Sequence, residues 1–179
     1  MRRHRDRILR QVRASRRRGW WLIPIPTGKK APQIKGWPQL RLTASELEES
    51  LGPNDGIGAI LGEASNGLVD IDIDALEALA AAREFLPPTE RIHGRKGKPS
   101  SHFWYHLKRP PAPEQFADLD GTMLIEFRST GQQTVIPPTF HPSGERFVWS
   151  MARNPGRVNT DALQEAVRRL AACGESSCI

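Results

Sequence analysis

The sequence has very little cysteine and no long apolar segment. Its two cysteines, Cys173 and Cys178, lie near the end of the chain, so we expect free thiols in a frayed tail rather than a disulfide framework. The longest apolar run, residues 20–25, is far too short to cross a bilayer. The arginine-rich start lacks the apolar core that a secretory signal needs. These absences predict a cytoplasmic protein with no membrane partner.

Several common catalytic motifs are also missing. The sequence has no Gly-x-x-x-x-Gly-Lys-[Ser/Thr] segment, which excludes a P-loop motor. No Gly-x-Ser-x-Gly segment and no His-Glu-x-x-His segment occurs either. No spacing of cysteine and histidine resembles a zinc site. Any catalytic chemistry must therefore come from another arrangement of side chains.

Positive charge is in excess, and much of it lies at the start. The 179 residues are enough for one domain with a real core, and they carry a net charge of +6. Such a charge favours an anionic partner, most often nucleic acid, although a basic protein without one is the alternative. Residues 1–18 contain nine arginines and one acid, with apolar residues at helical spacing. They predict either a short basic helix or a solvated arm, with Arg16, Arg17 and Arg18 as nucleic-acid-binding residues.

Strand and helix patterns alternate along the rest of the chain. A capping box at Thr43 and Glu46 starts one helix, and two prolines after residue 86 stop another. Because strands predominate in the middle and helices are interspersed, the α+β class is expected. Residues 91–98 are expected to form a basic loop, and a proline-rich connection to precede residue 123. Strands are predicted at 20–25, 56–61, 68–74, 102–107, 123–127, 133–136 and 146–149, and helices at 43–52, 75–85 and 161–172.

The strand at 68–74 carries three acids. Asp70, Asp72 and Asp74 alternate with apolar residues, and a period of two places all three on one face. Such a row repels itself unless a cation neutralises it. Hard divalent cations such as Mg²⁺ favour oxygen ligands of this kind. The first hypothesis is therefore a metal site for phosphoryl or nucleotidyl transfer.

Two further polar residues stand in apolar surroundings. Glu126 lies within a predicted strand, where an acid either faces solvent or points at a cation. His102 follows the basic loop and two serines, and together such groups can hold a triphosphate. Taken alone, such a glutamate more often faces solvent, and such a histidine is more often structural. His106 shares the strand face of His102 and is the next candidate, whereas His93 and His4 are expected on the surface.

The order of these motifs resembles the N-terminal catalytic domain of bifunctional DNA primase/polymerases (prim-pol) of the archaeo-eukaryotic primase superfamily. The resemblance covers roughly residues 19–150. It is carried by residues 21–26, Lys29, residues 35–37 and 57–62, the acidic strand, and residues 125–128, 134–138 and 143–145.

The resemblance implies a fold and a division of the chain. The implied core is a primase-type catalytic domain with an RRM-like sheet and an N-terminal α/β unit. The expected division is a basic arm or helix at 1–18, the catalytic domain at 19–150, and a C-terminal helix and tail at 151–179. Relatives are widespread in phages and plasmids and commonly continue into a helicase, so a replicative helicase acting in trans is a possible partner.

The resemblance also assigns roles in a two-metal nucleotidyl transfer that uses Mg²⁺ or Mn²⁺. Asp72 and Asp74 match the first family motif, His102 the second and Glu126 the third, with Asp70 as a less certain metal ligand. The implied substrates are nucleoside triphosphates on a single-stranded DNA template and primer. The residues expected to bind nucleotide are His102, Ser100, Ser101, Lys98, Arg95, Arg128, Lys35 and Lys29.

Two other functions stay open. A catalytically silent module that binds single-stranded nucleic acid would keep the basic start and the tryptophans. A nucleotide-sugar transferase also uses Asp-x-Asp with a metal, but it normally has a longer α/β region before that motif. A Ca²⁺ loop is disfavoured, because the acids alternate with isoleucine and lack the glycine turn of such loops.

Overall fold

The computed structural model describes residues 2–174. Over this range it contains four α-helices and ten β-strands, which confirms the α+β class. The helices are α1 (Arg2–Arg16), α2 (Ala44–Ser50), α3 (Leu76–Phe85) and α4 (Thr160–Gly174). The strands are β1 (Leu22–Ile25), β2 (Gly56–Ile60), β3 (Leu68–Ile73), β4 (Arg91–Arg95), β5 (Lys98–His106), β6 (Glu114–Ala117), β7 (Met123–Arg128), β8 (Gln133–Ile136), β9 (Val148–Ala152) and β10 (Gly156–Arg157).

The strands form a small sheet and a large one. The small sheet is antiparallel with the order β1-β2-β8. The large sheet has the order β6-β7-β3-β5-β4-β9, also antiparallel, and β10 pairs with β5 in parallel. The acidic strand β3 therefore lies inside the large sheet, between β7 and β5.

Helices α3 and α4 cover one face of the large sheet. Val69, Ile71 and Ile73 of β3 point to this side and are fully buried in the core formed with both helices, whereas Leu68 packs on the opposite side. Leu163, Val167 and Leu170 of α4 are fully buried in the same core, as their helical spacing predicts. Because Val69, Ile71 and Ile73 face the helices, the acids that alternate with them face the other way.

The other face of the large sheet meets the small sheet and α1. Trp20, next to β1, stacks on Trp104 of β5 with ring centroids 5.5 Å apart, and both are fully buried. Ile8 and Val12 of α1 pack in the same core. The first residues thus form a docked helix rather than a free arm.

Local sequence features explain several boundaries. The Thr43 side chain accepts from the Glu46 backbone, and the Glu46 carboxylate accepts from the Thr43 backbone, which completes the predicted capping box of α2. The turn after β2 needs glycine. Gly62 has φ 72°, and a side chain there would lie 2.0 Å from Thr130 Oγ1. The same turn brings Gly67 against the Leu107 carbonyl.

Some predicted elements are wrong. Residues 91–98 form β4 and the start of β5 instead of a basic loop. Ile92 packs under the helices while His93 is buried on the opposite face, so no polar alternation marks this strand. The last predicted strand begins two residues later, at Val148. Strands β6 and β10 were not expected, since β6 lies at the sheet edge directly after prolines and β10 has two residues.

The cysteines and two histidines also need correction. Cys173 belongs to α4 rather than to a frayed tail, and Cys178 lies outside the described residues. His93 is fully buried and His4 is 9% exposed, so neither is a surface residue. Among the described residues, no helix combines the length and apolar character needed to cross a membrane.

Candidate active site

Strand register brings three acids together. Asp72 of β3 lies opposite Glu126 of β7 on one side and opposite His102 of β5 on the other. Asp74 follows one residue after the end of β3. One carboxylate oxygen from each of Asp72, Asp74 and Glu126 lies within 4.8 Å of the others. The backbone pairing therefore builds this cluster, which we call the acidic trio.

Two cations lie against the acidic trio. The Arg128 guanidinium is 2.7 Å from Asp72 Oδ2 and also binds Glu126, which accepts a further bond from Gln115 at 2.8 Å. The Lys98 ammonium binds Asp74 and lies 3.7 Å from Asp72 Oδ1. Burial by itself raises the pKa of Asp72, but the charges of His102, Arg128 and Lys98 outweigh it and leave the pKa lowered. Asp72 is therefore a carboxylate at neutral pH.

The acidic trio has the chemistry of a divalent-cation site. All three side chains offer hard oxygen ligands, and one face of the trio borders a cavity. Asp72 Oδ1 is buried and accepts no hydrogen bond among the described residues, although Lys98 Nζ and His102 Nδ1 lie 3.7 and 3.6 Å away. Of the three carboxylates, Asp72 therefore keeps a buried oxygen that can still accept a ligand bond. The residues present therefore fit Mg²⁺ or Mn²⁺.

Asp70 lies behind the acidic trio rather than in it. Its side chain is fully buried, and its Oδ2 accepts from Thr134 Oγ1 at 2.7 Å and from His102 Nδ1 at 2.9 Å. Thr134 belongs to β8, so this carboxylate joins the two sheets. The hydrogen bonds orient the His102 ring, whose other nitrogen is left for a ligand.

The ring of His102 stacks on that of a second histidine, His93, with ring centroids 4.1 Å apart. Trp104 Nε1 donates to His93 Nδ1 at 2.9 Å, which fixes the tautomer of His93 and leaves Nε2 to donate to the Val135 carbonyl at 3.2 Å. Burial holds the pKa of His93 well below its ordinary value. Burial also lowers the pKa of His102, but Asp72 and Asp70 outweigh it and the net pKa is raised.

The acidic trio opens into a cavity of about 820 Å³ between the two sheets. Most residues predicted for the site line this cavity. Arg95 is held there by an ion pair with Glu145. The structure brings together Asp72, Asp74, Glu126, His102, Ser101, Lys98, Arg95 and Arg128.

Other predicted residues lie elsewhere. Ser100 donates to Ser150 at 3.0 Å and faces a neighbouring groove instead of the cavity. Lys29 and Lys35 are exposed in the loop after β1 and do not line the cavity. His106 accepts from Trp20 Nε1 at 3.4 Å and lines a different pocket. The loop reaches the cavity through Lys30, one residue from the position that sequence favoured.

Sequence reasoning missed part of the cavity wall. Gln133, whose amide donates to the Lys30 carbonyl at 2.8 Å, ties the wall to the basic loop. The sequence feature that could have indicated Gln133 is its position at the start of a predicted strand, directly after the turn at Gly131. The other lining residues without a predicted role are Lys30, Trp37, Met123, Gly131, Gln132, Val135 and Phe147.

Comparison with known families agrees with this geometry. The sequence model for the N-terminal domain of bifunctional DNA primase/polymerases, Prim-Pol, matches residues 12–166, which is 155 of the 179 residues. The chain belongs to the Prim-Pol family. The Prim-Pol match contains the acidic trio, both of its cations and His102. The chemistry of this family is the nucleotidyl transfer of primases and polymerases. A search among curated proteins finds no match.

Proposed function

We propose that the protein catalyses template-directed nucleotidyl transfer on single-stranded DNA, as a primase or DNA polymerase. The observation that carries the proposal is the acidic trio, which borders a cation-lined cavity in a member of the Prim-Pol family. Carboxylates beside a cavity lined with lysine and arginine suit a substrate that carries both phosphates and divalent cations.

The acidic trio would hold the cations. Asp72, Asp74 and Glu126 are the proposed ligands, and Mg²⁺ or Mn²⁺ bound there would lower the pKa of the attacking 3′-hydroxyl and neutralise the triphosphate. The position of Asp72 on the cavity, beside Asp74 and Glu126, supports its role as a ligand. The separation of Asp70 from the trio supports a positioning role for that residue instead.

The cations and His102 would bind the triphosphate. Lys98, Arg95 and Arg128 line the cavity next to the acidic trio, and each can donate to phosphate oxygens. His102 is oriented by Asp70 and faces the same cavity. Ser101 adds a hydroxyl on the same wall. Ser100, Lys29 and Lys35 have no such support from their positions.

We also propose the primase-type arrangement within the α+β fold. The large antiparallel sheet with α3 and α4 on one face supports an RRM-like catalytic core. The small sheet with α1 and α2 supports an N-terminal α/β unit beside it. The boundaries after residues 18 and 150 stay predictions. Replication of phage or plasmid DNA and a helicase in trans rest on the resemblance alone.

Primer extension on a single-stranded DNA template tests the proposal. The reaction would contain Mg²⁺ or Mn²⁺ and either ribonucleotides or deoxyribonucleotides. The test variant is Asp72→Asn/Asp74→Asn, which keeps side-chain size while removing two charges. The matched control is Glu90→Gln/Asp161→Asn, which removes two carboxylates away from the cavity.

We expect metal-dependent products from the wild type and the control, and loss of at least about 100-fold in the test variant, since no other ligand replaces the charge. Equal activity in the test variant would reject the acidic trio as the metal site. An inactive wild type that still binds DNA would instead favour the silent binding module. Reactions without a primer would then separate initiation from extension.

A further inference from the structure

The positive charge of the chain is concentrated in one element. Residues 1–18 hold nine of the 26 lysines and arginines and one of the 20 acids, so they carry a net charge of +8. The remaining residues therefore carry a net charge of −2. Residues 1–18 are therefore the largest block of positive charge that could attract an anionic polymer.

The exposed arginines of α1, together with Arg17 just after its end, form one stripe. Five of them, spaced three or four residues apart, are exposed. At 100° per residue they fall within a sector about 120° wide, and at 1.5 Å per residue they span about 21 Å. We call this set the arginine stripe: Arg3, Arg7, Arg10, Arg13 and Arg17.

The opposite side of α1 is fixed to the protein. Ile8 and Val12 are 1% exposed in the core beneath the helix. A helix that binds a membrane must insert its apolar face, and here that face is already buried. The sector of the stripe also contains the exposed Asp6 and the half-buried Ala14, but no large apolar side chain that could insert into a membrane.

Three other arginines of this segment bind groups of the protein itself. Arg5 donates to the carbonyls of Glu48 and Leu51 at the end of α2, at 3.0 and 3.1 Å. Arg16 lies 3.6 Å over the Trp21 ring and donates to the Trp20 carbonyl at 3.0 Å. Arg18 donates to the Ala14 carbonyl at 3.2 Å. Of the three arginines that sequence favoured, Arg17 is thus the one on the stripe.

The first turn of α1 packs against the segment that leads into one wall of the cavity. His4, one residue from Arg3, has its ring 5.2 Å from the Phe140 ring, and the next residue, His141, lines the cavity. Gln11 accepts from Trp149 Nε1 at 3.1 Å, which anchors the middle of α1 to β9. A strand lying along the stripe would be held at a fixed position relative to the active site.

We propose that the arginine stripe binds the sugar–phosphate backbone of single-stranded DNA as it leaves the cavity. The proposal rests on the proposed function only in naming DNA as the strand that the cavity acts on. Guanidinium groups at this spacing pair with successive phosphates, and the stripe carries no aromatic side chain for base stacking. Binding through the stripe is therefore independent of sequence. Most of it precedes residue 12, where the family match begins.

The test compares two variants with the same loss of charge. Arg7→Gln/Arg10→Gln/Arg13→Gln neutralises the centre of the stripe, and Arg109→Gln/Arg153→Gln/Arg157→Gln neutralises three exposed arginines elsewhere. Fluorescence anisotropy with a labelled mixed-sequence oligonucleotide, without metal or nucleotide, gives the dissociation constant at several salt concentrations. Far-UV circular dichroism verifies that both variants keep the helical content of the wild type.

For single strands each neutralised phosphate contributes about 0.7 to the slope of log K against log salt, so the stripe variant should lose about 2 from this slope. We expect its dissociation constant at low salt to rise by roughly tenfold or more, with the slope of the second variant unchanged. Wild-type binding by the stripe variant would overturn the proposal. Equal losses in both variants would also overturn it, since they would indicate general attraction. Stronger binding to phosphatidylserine vesicles than to DNA would reject DNA as the partner.

This outcome is separable from the catalytic proposal. Anisotropy without metal does not depend on the acidic trio, so the same titration with Asp72→Asn/Asp74→Asn should retain wild-type affinity or tighter. Loss of binding in the stripe variant together with an inactive wild type would support the stripe while rejecting the polymerase. An active wild type together with unchanged DNA affinity in the stripe variant would support the polymerase while rejecting the stripe.

Discussion

Asp70 and His102 form a pair although only His102 faces the cavity. The Asp70 carboxylate receives the histidine on one side and Thr134 of the small sheet on the other. Sequence periodicity places Asp70, Asp72 and Asp74 on one face but does not show which of them reaches the cavity. That depends on Thr134, which lies 64 positions further along the chain. The sequence thus predicts that three acids share one face of the strand, but it does not predict which of them reach the cavity and which one positions His102.

Changing Asp70 to asparagine separates positioning from metal binding. Asp70→Asn keeps the shape but weakens the bond that orients His102, so we expect the KM for nucleotide to rise about tenfold. The metal concentration for half-maximal activity should stay within about twofold, because Asp70 lies outside the acidic trio. Steady-state kinetics at varied nucleotide and metal measures both. A metal requirement raised as strongly as the KM would make Asp70 a ligand.

His93 makes stability depend on pH near neutrality. Its folded-state pKa lies well below the ordinary value of 6.5, mainly through burial, so the unfolded chain binds a proton that the folded chain excludes. The unfolding free energy should therefore fall as pH drops below about 6.5. From pH 7.5 to 5.5 the contribution of one such histidine is about 1.4 kcal/mol.

Urea unfolding of the wild type and of His93→Gln at both pH values tests this contribution. Glutamine can accept from Trp104 and donate to Val135 without titrating. The wild type should lose about 1.4 kcal/mol more than the variant over this interval. Equal losses would show that His93 takes up a proton while folded.

At the scale of elements, polar alternation marks strands that have one solvated face. Strand β3 was predicted because its acids alternate with apolar residues, and the pairing of β3 with β5 and β7 then assembles the site. Strand β4 was taken for a loop because both of its faces are buried and it carries two arginines and a glycine. The register that sets Asp72 opposite Glu126 is a tertiary property that neither segment encodes alone.

Helix α4 should be required for stability even beyond the end of the family match. Leu170 is fully buried against the large sheet although the match ends at residue 166. Leu170→Ala should lower the unfolding free energy by about 2–5 kcal/mol, through lost burial and the cavity left behind. Leu119→Ala is the matched control, since Leu119 is 100% exposed and its loss should cost less than about 0.5 kcal/mol. Chemical denaturation of both variants measures the difference, and equal costs would place α4 outside the folded core.

At the scale of the whole molecule, the active site lies where two layers meet. Bonds from Thr134 to Asp70 and from His93 to Val135 join the small sheet to the large one directly beside the cavity. The Trp20–Trp104 stack fills the same interface. The site is therefore complete only when both sheets are folded and packed together. The chain should accordingly unfold as one cooperative unit.

Substitution of Ile8 in α1 tests this cooperativity. Ile8 is 1% exposed in the core shared by α1, both sheets and the two tryptophans. Ile8→Ala should cost about 2–5 kcal/mol. Because the core is shared, tryptophan fluorescence and far-UV circular dichroism should shift to the same lower midpoint in denaturant. Ile34→Ala, at a 37% exposed loop position, should leave both midpoints nearly unchanged. A helical signal lost before any change in tryptophan emission would instead identify α1 as an independent arm, and the arginine stripe would then lack a fixed position relative to the cavity.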